Sequence, residues 1–189
     1  MTAAASVAEF LEAQPLGGLV AMAQAGDRAA LESLLMTVER PVYGFVYRLL
    51  GNAAAAEDVT QETLLKVCQN LHRYRERGQF QAWVYRIAAN QAHDARRRGR
   101  TWEEVEDTAV AGPDPERVEQ LRHVMTALRV LSEKERAALV LIEIEGYDSR
   151  EAGRILGCLA ITARTRAAHA RKKIRRELSR YYPELGDSK

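Results

Sequence analysis

The stretch DSREAGRILGCLAITARTRAAHARKKIRRELSR, residues 148–180, decides the fold of this chain. Asp148 and Glu151 form a predicted capping box, which begins a short helix, and Gly157 ends that helix. After a brief turn, Thr162 can cap a longer and strongly basic helix. Two helices joined by a turn that contains glycine are typical of a helix-turn-helix, whose second helix enters the major groove of DNA. A plain helical hairpin is the alternative.

The last helix separates into an apolar and a polar face. At 100° per residue, its small and apolar side chains fall within one arc of about 80°. The predicted packed face comprises Ala163, Ala167, Ala170, Ile174 and Leu178. On the opposite face, the first residues of a recognition helix contact base edges and later basic residues contact phosphates. The base-facing candidates are Arg164, Thr165, Ala168 and His169, with Arg166 on the flank. The phosphate candidates are Arg171, Lys172, Lys173 and Arg175. A solvated basic face is the alternative explanation of these charges.

A second basic segment, FQAWVYRIAANQAHDARRRGR at 80–100, interleaves aromatic, amide and basic side chains. Aromatic rings can stack on an unpaired base, amides can bond its edge, and arginines can hold phosphates. A protein that binds only duplex DNA has no use for such a segment, so we expect it to hold a single strand. The candidates are Tyr74, Arg75, Phe80, Trp83, Arg86, Asn90, Arg96, Arg97 and Arg98. The spacing of Trp83 also suits a core residue, and that alternative stays open.

The chain of 189 residues shows helical periodicity and no strand pattern. An acidic stretch with glycine and proline interrupts it beyond the middle, and such a composition is typical of a flexible linker. The predicted fold class is therefore all-α, with two small helical domains. The predicted segments are an N-terminal extension 1–18, a first domain 19–98, a linker 99–116, a helix-turn-helix domain 117–182 and a tail 183–189.

Several helix boundaries can also be predicted. The first helix should start near Leu19, and Pro41 should open a new helix, because proline is favoured at the first helical position. Ser132 and Glu135 form a second capping box. The helix before that box carries an apolar stripe, made by Val118, Leu121, Val124, Leu128 and Leu131.

The sequence shows no chemistry for catalysis. It contains no nucleophile elbow, phosphate-binding glycine loop or HExxH motif, so we expect neither an enzyme nor a cofactor. Cys68 and Cys158 match no zinc-site spacing and are typical of thiols in a reducing cytosol. No secretory leader and no run of about 20 apolar residues is visible. A cytoplasmic location without membrane insertion is therefore expected.

The order of these parts resembles the extracytoplasmic-function (ECF, group IV) sigma factors of bacterial RNA polymerase, within the sigma-70 family. Four phrases in the right order carry the resemblance. They are LVAMAQAGDRAALESLL at 19–35, AEDVTQETLLKVCQNLHRYR at 56–75, FQAWVYRIAANQAHDARRR at 80–98, and LSEKERAALVLIEIEGYDSREAGRILG at 131–157 followed by TARTRAAHARKKI at 162–174.

The resemblance implies a sigma factor that binds core RNA polymerase, recognises the −35 and −10 promoter elements and opens the −10 DNA. The first domain would be sigma region 2, in which Asp58, Gln61 and Glu62 bind the polymerase β′ clamp. The single-strand candidates would capture a flipped base of the −10 element, at a cost of a few kcal/mol of unstacking. The second domain would be sigma region 4, which docks on the β flap and reads duplex DNA at −35. The linker would thread the active-site and RNA-exit channel, and a separate anti-sigma factor is the default regulator.

The recognition helix departs from the family pattern. Ala163 and Ala167 stand where the family commonly has Val and Leu, and Ile161 stands where it commonly has Gly. Large-to-small differences loosen packing unless Leu159, Ile161 or Tyr147 fills the space. The base-facing residues are also unusual, so the promoter sequence cannot be carried over. Two rivals remain: a stand-alone helix-turn-helix regulator, and a decoy that sequesters an anti-sigma partner.

Overall fold

The computed structural model describes residues 16–75, 79–99 and 115–185, and these residues form helices and no strand. The predicted all-α class is confirmed. The predicted acidic linker falls mostly on residues 100–114, which lie outside the described residues. The helices are α1 (Leu16–Gln24), α2 (Arg28–Leu50), α3 (Ala53–Asn70), α4 (Phe80–Arg97), α5 (Pro115–Arg129), α6 (Glu133–Leu139), α7 (Ser149–Leu156) and α8 (Ala160–Leu178). Shorter turns are the 3-10 turns Leu71–Arg73 and Pro183–Leu185 and the π turn Val140–Ile144.

Helix α2 runs without a break through Pro41, so the prediction that Pro41 opens a new helix is wrong. A proline inside a helix costs about 3 kcal/mol, because it lacks an N–H and crowds the preceding turn. On both sides of it, Val38, Val42 and Phe45 are fully buried. Burial of each such side chain contributes about 1.5–3 kcal/mol, so tertiary packing offsets the local penalty and keeps one helix.

The ends of α1 and α2 are set by local chemistry. Gly26 adopts a left-handed φ of 97°, and Asp27 then caps α2 by accepting a hydrogen bond from the Ala30 N–H at 3.0 Å. Helix α1 begins at Leu16, three residues before the predicted start near Leu19. Its Leu16 packs against the core, which extends the helix through two glycines.

In the second half of the chain, both predicted capping boxes are present, at Ser132 with Glu135 and at Asp148 with Glu151. The apolar stripe predicted along and just after α5 is buried only at its end. Leu128 and Leu131 are buried, but Leu121 and Val124 are exposed. The core beside α5 includes Met125 and Leu128 of α5 and Ala170 of α8, but not Leu121 or Val124.

The two halves of the chain share one core. Residues from α6, α7 and the segment between them join the same buried cluster as α2 and α4. They are Ala137, Val140, Leu141, Tyr147, Ala152 and Ile155. The side chain of Arg136 also crosses this boundary and is only 1% exposed. Its guanidinium donates to the carbonyl oxygens of Leu49 (2.6 Å), Leu128 (3.0 Å) and Leu131 (3.1 Å), so one cation binds the C-terminal ends of α2 and α5.

Candidate nucleic-acid interface

The inner face of α8 is lined by alanine and packs against α5, α6 and α7. Ala163, Ala167 and Ala170 are buried, as predicted, and Ile174 packs against the core beside them. At Gly153 of α7, an added Cβ would lie 2.7 Å from the carbonyl oxygen of Cys158, in the turn before α8. That distance is shorter than any ordinary contact, so glycine is required where α7 meets this turn.

The residues expected to fill space around this inner face do not do so at the start of α8. Leu159 is 73% exposed and Ile161 is 55% exposed, so neither fills the core. Tyr147 is buried, but its ring packs edge-on against Tyr85 of α4, at 5.7 Å between centroids. Helix α8 begins after Leu159 without a side-chain cap, so the prediction that Thr162 caps it is wrong. The backbone turn that follows α7 starts the helix instead.

The outer face of α8 presents most of the predicted base-facing and phosphate residues to solvent. The exposed members are Arg164, Thr165, Ala168, His169, Lys172 and Arg175. Arg171 and Lys173 are also exposed but are paired within the protein: Arg171 pairs with Glu143, and Lys173 lies 2.8 Å from a carboxylate oxygen of Glu135. Arg166 is half-buried and lines a cavity together with residues of α4. The phase prediction is thus confirmed for burial, while the DNA contacts of these side chains stay predictions.

Glu135 joins the start of α6 to α8. Its carboxylate accepts the Ser132 N–H at 2.9 Å as part of the capping box and also binds the Lys173 ammonium. The hydrogen bond from Lys173, with smaller contributions from Ser132, lowers the pKa of Glu135 to about 2. The carboxylate therefore stays ionised and orients α8 on α6 across the physiological range.

Three aromatic residues before and within α4 form one cluster. The ring centroid of Tyr74 lies 5.4 Å from that of Phe80 and 5.2 Å from that of Trp83, and the Phe80–Trp83 distance is 5.6 Å. Tyr74 and Phe80 are buried, whereas Trp83 is half-buried. Gln24 fixes the backbone at this point, because its Nε2 donates to the carbonyl oxygens of Leu71 (2.7 Å) and Tyr74 (2.9 Å). Of these three predicted rings, Trp83 is therefore the most accessible to a base.

Most of the residues predicted to hold single-stranded DNA line one of two cavities. A cavity of about 410 Å³ is lined by Tyr74, Arg75, Trp83 and Arg86, and α7 closes its other side with Glu151 and Arg154 among others. We call it the aromatic cavity. A second cavity of about 290 Å³ is lined by Asn90 and Arg96 together with residues of α6 and α8. We call it the inter-region cavity. Arg97 and Arg98 are exposed near the end of α4.

The predicted polymerase-binding residues lie on one side of α3. Asp58 and Gln61 are exposed, and Glu62 is half-buried. The Glu62 carboxylate accepts a hydrogen bond from Gln91 Nε2 at 3.0 Å and lies 3.5 Å from Arg98. Leu65, one turn after Gln61, is 59% exposed and was not among the predicted residues. Its signal was an apolar residue outside the buried phase of α3.

The residues that join the two halves of the chain were also missed. Glu145 accepts the Tyr85 hydroxyl at 2.6 Å and lies 3.2 Å from Arg48 of α2. Burial and the hydrogen bond to Glu145 raise the pKa of the Tyr85 phenol, so it stays a neutral donor. No sequence pattern singled out Arg136 or Glu145.

Comparisons with known proteins give the chain its family. The model of Sigma-70 region 2 matches residues 34–103, and the model of Sigma-70, region 4 matches residues 121–174. RNA polymerase sigma factor CarQ of Myxococcus xanthus is 36% identical over 79% of this chain and 90% of its own length. The chain is an ECF sigma factor of the sigma-70 family.

Further similar proteins agree with that assignment. The ECF RNA polymerase sigma factor SigE of Mycolicibacterium smegmatis is 35% identical to this sigma factor, over 86% of this chain and 68% of SigE. Among solved structures, the sigma factor RpoE of Bartonella quintana, in complex with the anti-sigma factor NepR, superposes with a TM-score of 0.66. It is 28% identical and the match covers 78% of this chain and 96% of RpoE. CnrH, solved with the cytosolic domain of CnrY, shares the fold at 24% identity and a TM-score of 0.68, over 90% of this chain and 97% of CnrH.

The described residues contain neither a candidate membrane span nor a candidate metal site. None of the described helices is long and apolar enough to cross a membrane. Within the same residues, no group of three or more His, Cys, Asp and Glu side chains could hold a metal ion. Together the two regions account for both halves of the described fold, and the chain directs promoter-specific transcription initiation as a sigma factor does.

Proposed function

We propose that α8 of this sigma factor reads the −35 element with its outer face. The observation that carries this assignment is the exposure of Arg164, Thr165, Ala168 and His169 directly opposite a buried alanine face. First-turn residues of a recognition helix reach base edges, and later cations reach phosphates. Because Arg171 and Lys173 are already paired within the protein, Lys172 and Arg175 carry most of the proposed phosphate contacts on this helix.

The same proposal assigns strand capture at −10 to the aromatic cavity and α4. Trp83 supplies a partly exposed ring, and Arg75 and Arg86 stand beside it to hold phosphates. The buried rings of Tyr74 and Phe80 support Trp83 and keep it in place. Stacking of one base on an aromatic ring contributes about 1–3 kcal/mol, which is comparable to the cost of flipping that base.

The exposed side of α3 is the proposed contact with the polymerase β′ clamp. Asp58 and Gln61 supply acidic and polar groups, and Leu65 adds an apolar anchor between them and the end of the helix. Interfaces typically combine a small apolar centre with a polar rim. Region 4 would make the second contact, with the β flap.

The closed packing of the two regions cannot serve both promoter elements at once. The element names place their centres about 25 base pairs apart, which is about 85 Å of B-DNA at 3.4 Å per base pair. A compact chain of this length has a radius of gyration of about 16 Å and is about 40 Å across. We infer that regions 2 and 4 separate when the promoter is bound, and that the contacts of Arg136 and Glu145 belong to the free protein.

The proposal is tested with purified protein, core RNA polymerase and a library of promoter fragments, with open-complex formation as the readout. Wild-type protein should open a defined subset of promoters. Absence of polymerase binding would refute the proposed roles of α3 and region 4, and polymerase binding without any opening would favour the decoy. Lys172→Ala should weaken binding to all promoters about equally. It should also reduce the slope of the logarithm of the binding constant against the logarithm of salt concentration by about one. Arg40→Ala is the matched control, since it removes one exposed cation of α2 outside the proposed DNA-binding residues.

Strand capture is tested separately from polymerase binding. Trp83→Ala and Asn90→Ala should each reduce promoter opening more than they reduce polymerase binding. A promoter with a pre-formed bubble at −10 should restore part of the activity of Trp83→Ala, because the cost of melting is removed. Equal loss of opening and polymerase binding would instead make both residues structural.

We also propose that the protein acts in the cytoplasm, does not itself catalyse RNA synthesis, and is held inactive by a separate anti-sigma protein. Support for the last point is the similar sigma factor RpoE, which was crystallised with the anti-sigma factor NepR. The exposed apolar residues Leu121 and Val124 on α5 offer such a partner a surface. Purification of the tagged protein from native cells should bring down one stoichiometric protein, and Leu121→Ser should reduce its recovery. Recovery of the sigma factor with polymerase alone would contradict this.

A further inference from the structure

The inter-region cavity concentrates positive charge from both halves of the protein. Arg96 comes from α4 of region 2, Lys134 from α6 and Arg166 from α8 of region 4. The carboxylate that lines it is Glu133, and that group is hydrogen-bonded to His93 at 2.5 Å. The walls therefore carry three permanent cations and one carboxylate that is already engaged.

Arg96 is incompletely satisfied where it stands. Its Nη1 is closed to solvent and has no hydrogen-bond partner among the described residues. Buried polar groups in native proteins are almost always paired, and an unpaired guanidinium N–H calls for an explanation. The backbone around Arg96 is a regular helix, so strain does not supply that explanation.

A second guanidinium lies close enough to Arg96 to feel its charge. Burial, and to a smaller extent the neighbouring charge of Arg96, lower the pKa of Arg136 to about 10. Two cations thus stand near each other at the boundary of the two regions, with the volume of about 290 Å³ beside Arg96 available to a compensating anion.

We propose that the inter-region cavity binds a small phosphoryl anion, of the pyrophosphate or nucleotide-phosphate class. A guanidinium presents paired N–H groups that match phosphate oxygens, and an ammonium such as that of Lys134 adds a point charge. The Asn90 amide supplies a further donor at the wall. Because Nη1 is closed to solvent, the Arg96 guanidinium would turn toward the cavity on binding. A phosphoryl anion would then pair its N–H groups and offset the charge that Arg96 places near Arg136.

The bound anion would hold regions 2 and 4 together. Its ligands come from α4, α6 and α8, so separation of the regions would break the site. This consequence rests on the proposed function, because Arg96 and Arg166 are also assigned to promoter DNA. Anion binding and promoter engagement would then be mutually exclusive.

The site is tested by titrating the full-length protein with sodium pyrophosphate, without polymerase or DNA. Sodium chloride at the same ionic strength is the control for general screening. Calorimetry should show saturable binding of one pyrophosphate, and the melting temperature should rise by about 4 °C or more at saturation. Inorganic phosphate and a nucleoside triphosphate, used in parallel, rank the phosphoryl ligands.

Variants locate the site. Arg96→Gln and Arg166→Gln should each weaken pyrophosphate binding at least about tenfold. Lys172→Gln removes an exposed cation of α8 outside the cavity and should bind pyrophosphate as the wild type does. Arg96→Gln should also melt at a higher temperature than the wild type in the absence of phosphate, because it removes an unpaired group and a repulsive charge.

The outcomes separate this site from the proposed function. Pyrophosphate binding that is unchanged in Arg96→Gln, or equally weakened in Lys172→Gln, would overturn the site and leave non-specific attraction to a basic protein. A lower melting temperature of phosphate-free Arg96→Gln would also contradict it. Promoter opening is measured on its own, so a protein that opens promoters but binds no pyrophosphate refutes the site alone.

Discussion

Replacement of Arg136 decides whether its buried charge stabilises the fold or strains it. Arg136→Met keeps the aliphatic stem and removes three hydrogen bonds to main-chain carbonyls, with N···O distances of 2.6, 3.0 and 3.1 Å. Charged hydrogen bonds contribute about 1.5–3 kcal/mol each, so the loss is about 4–9 kcal/mol. Relief of charge burial offsets several kcal/mol of this.

The net expectation is a destabilisation of about 2–4 kcal/mol. For a chain of this length, that corresponds to a melting temperature lower by about 5–12 °C. Urea unfolding of the full chain, followed by far-ultraviolet circular dichroism, measures the free energy of unfolding directly. Arg136→Lys separates charge from geometry: one ammonium cannot reach three carbonyls, so it should be nearly as destabilising as Arg136→Met.

Two results would refute this reasoning. An Arg136→Met protein as stable as the wild type, or more stable, would mean that desolvation of the charge outweighs the carbonyl bonds. Full stability of Arg136→Lys would mean that the charge near the helix ends matters and the guanidinium geometry does not. The matched control is Arg48→Met, which removes a partly exposed arginine at the same boundary and should cost about 1 kcal/mol or less.

Three further predictions concern single features of the fold. The low pKa of Glu135 contributes stability that is fully present above about pH 4.5 and is lost as the pH falls toward about 2; Lys173→Met should remove about 1–2 kcal/mol of it at neutral pH, and an unchanged acid-unfolding curve would contradict this. Gly153→Ala should destabilise region 4 by about 2 kcal/mol or more, since its Cβ would lie 2.7 Å from the Cys158 carbonyl oxygen; normal stability would show that α7 and α8 can move apart. Leu65→Ser should weaken polymerase binding with the melting temperature unchanged, and unimpaired binding would exclude Leu65 from the interface.

Features that depend on neighbours in sequence were predictable. Both capping boxes, the glycine at the end of α7 and the alanine face of α8 follow from spacing within a few residues. Features that depend on distant contacts were not. Pro41 stays inside α2 because Val38, Val42 and Phe45 around it are buried. Leu121 is exposed because the core beside α5 includes Met125 and Leu128 but not Leu121.

The candidate site was predictable to the same extent. Phase alone identified which residues of α8 face outward, because the period of the helix fixes that. It could not show that Arg171 and Lys173 are paired with carboxylates of α6 and the π turn, or that Tyr74 is buried beneath Trp83. Arg171 is 28 positions from its partner Glu143, and Lys173 is 38 positions from its partner Glu135. No local pattern encodes contacts over such separations.

The unequal division of hydrogen bonds on Arg136 has a kinetic consequence. Two of its three carbonyl partners, Leu128 and Leu131, belong to region 4, and one, Leu49, belongs to region 2. When the regions part, the guanidinium leaves with its majority partners and gains water, and the Leu49 carbonyl at the end of α2 is hydrated in turn. Parting also breaks the contacts of Glu145 with Tyr85 and Arg48. The barrier to rejoining should therefore be set by the desolvation of the Leu49 carbonyl, of the Glu145 carboxylate and of a shared apolar surface. The guanidinium of Arg136 itself adds little to that barrier, because most of its hydrogen bonds stay intact when the regions part.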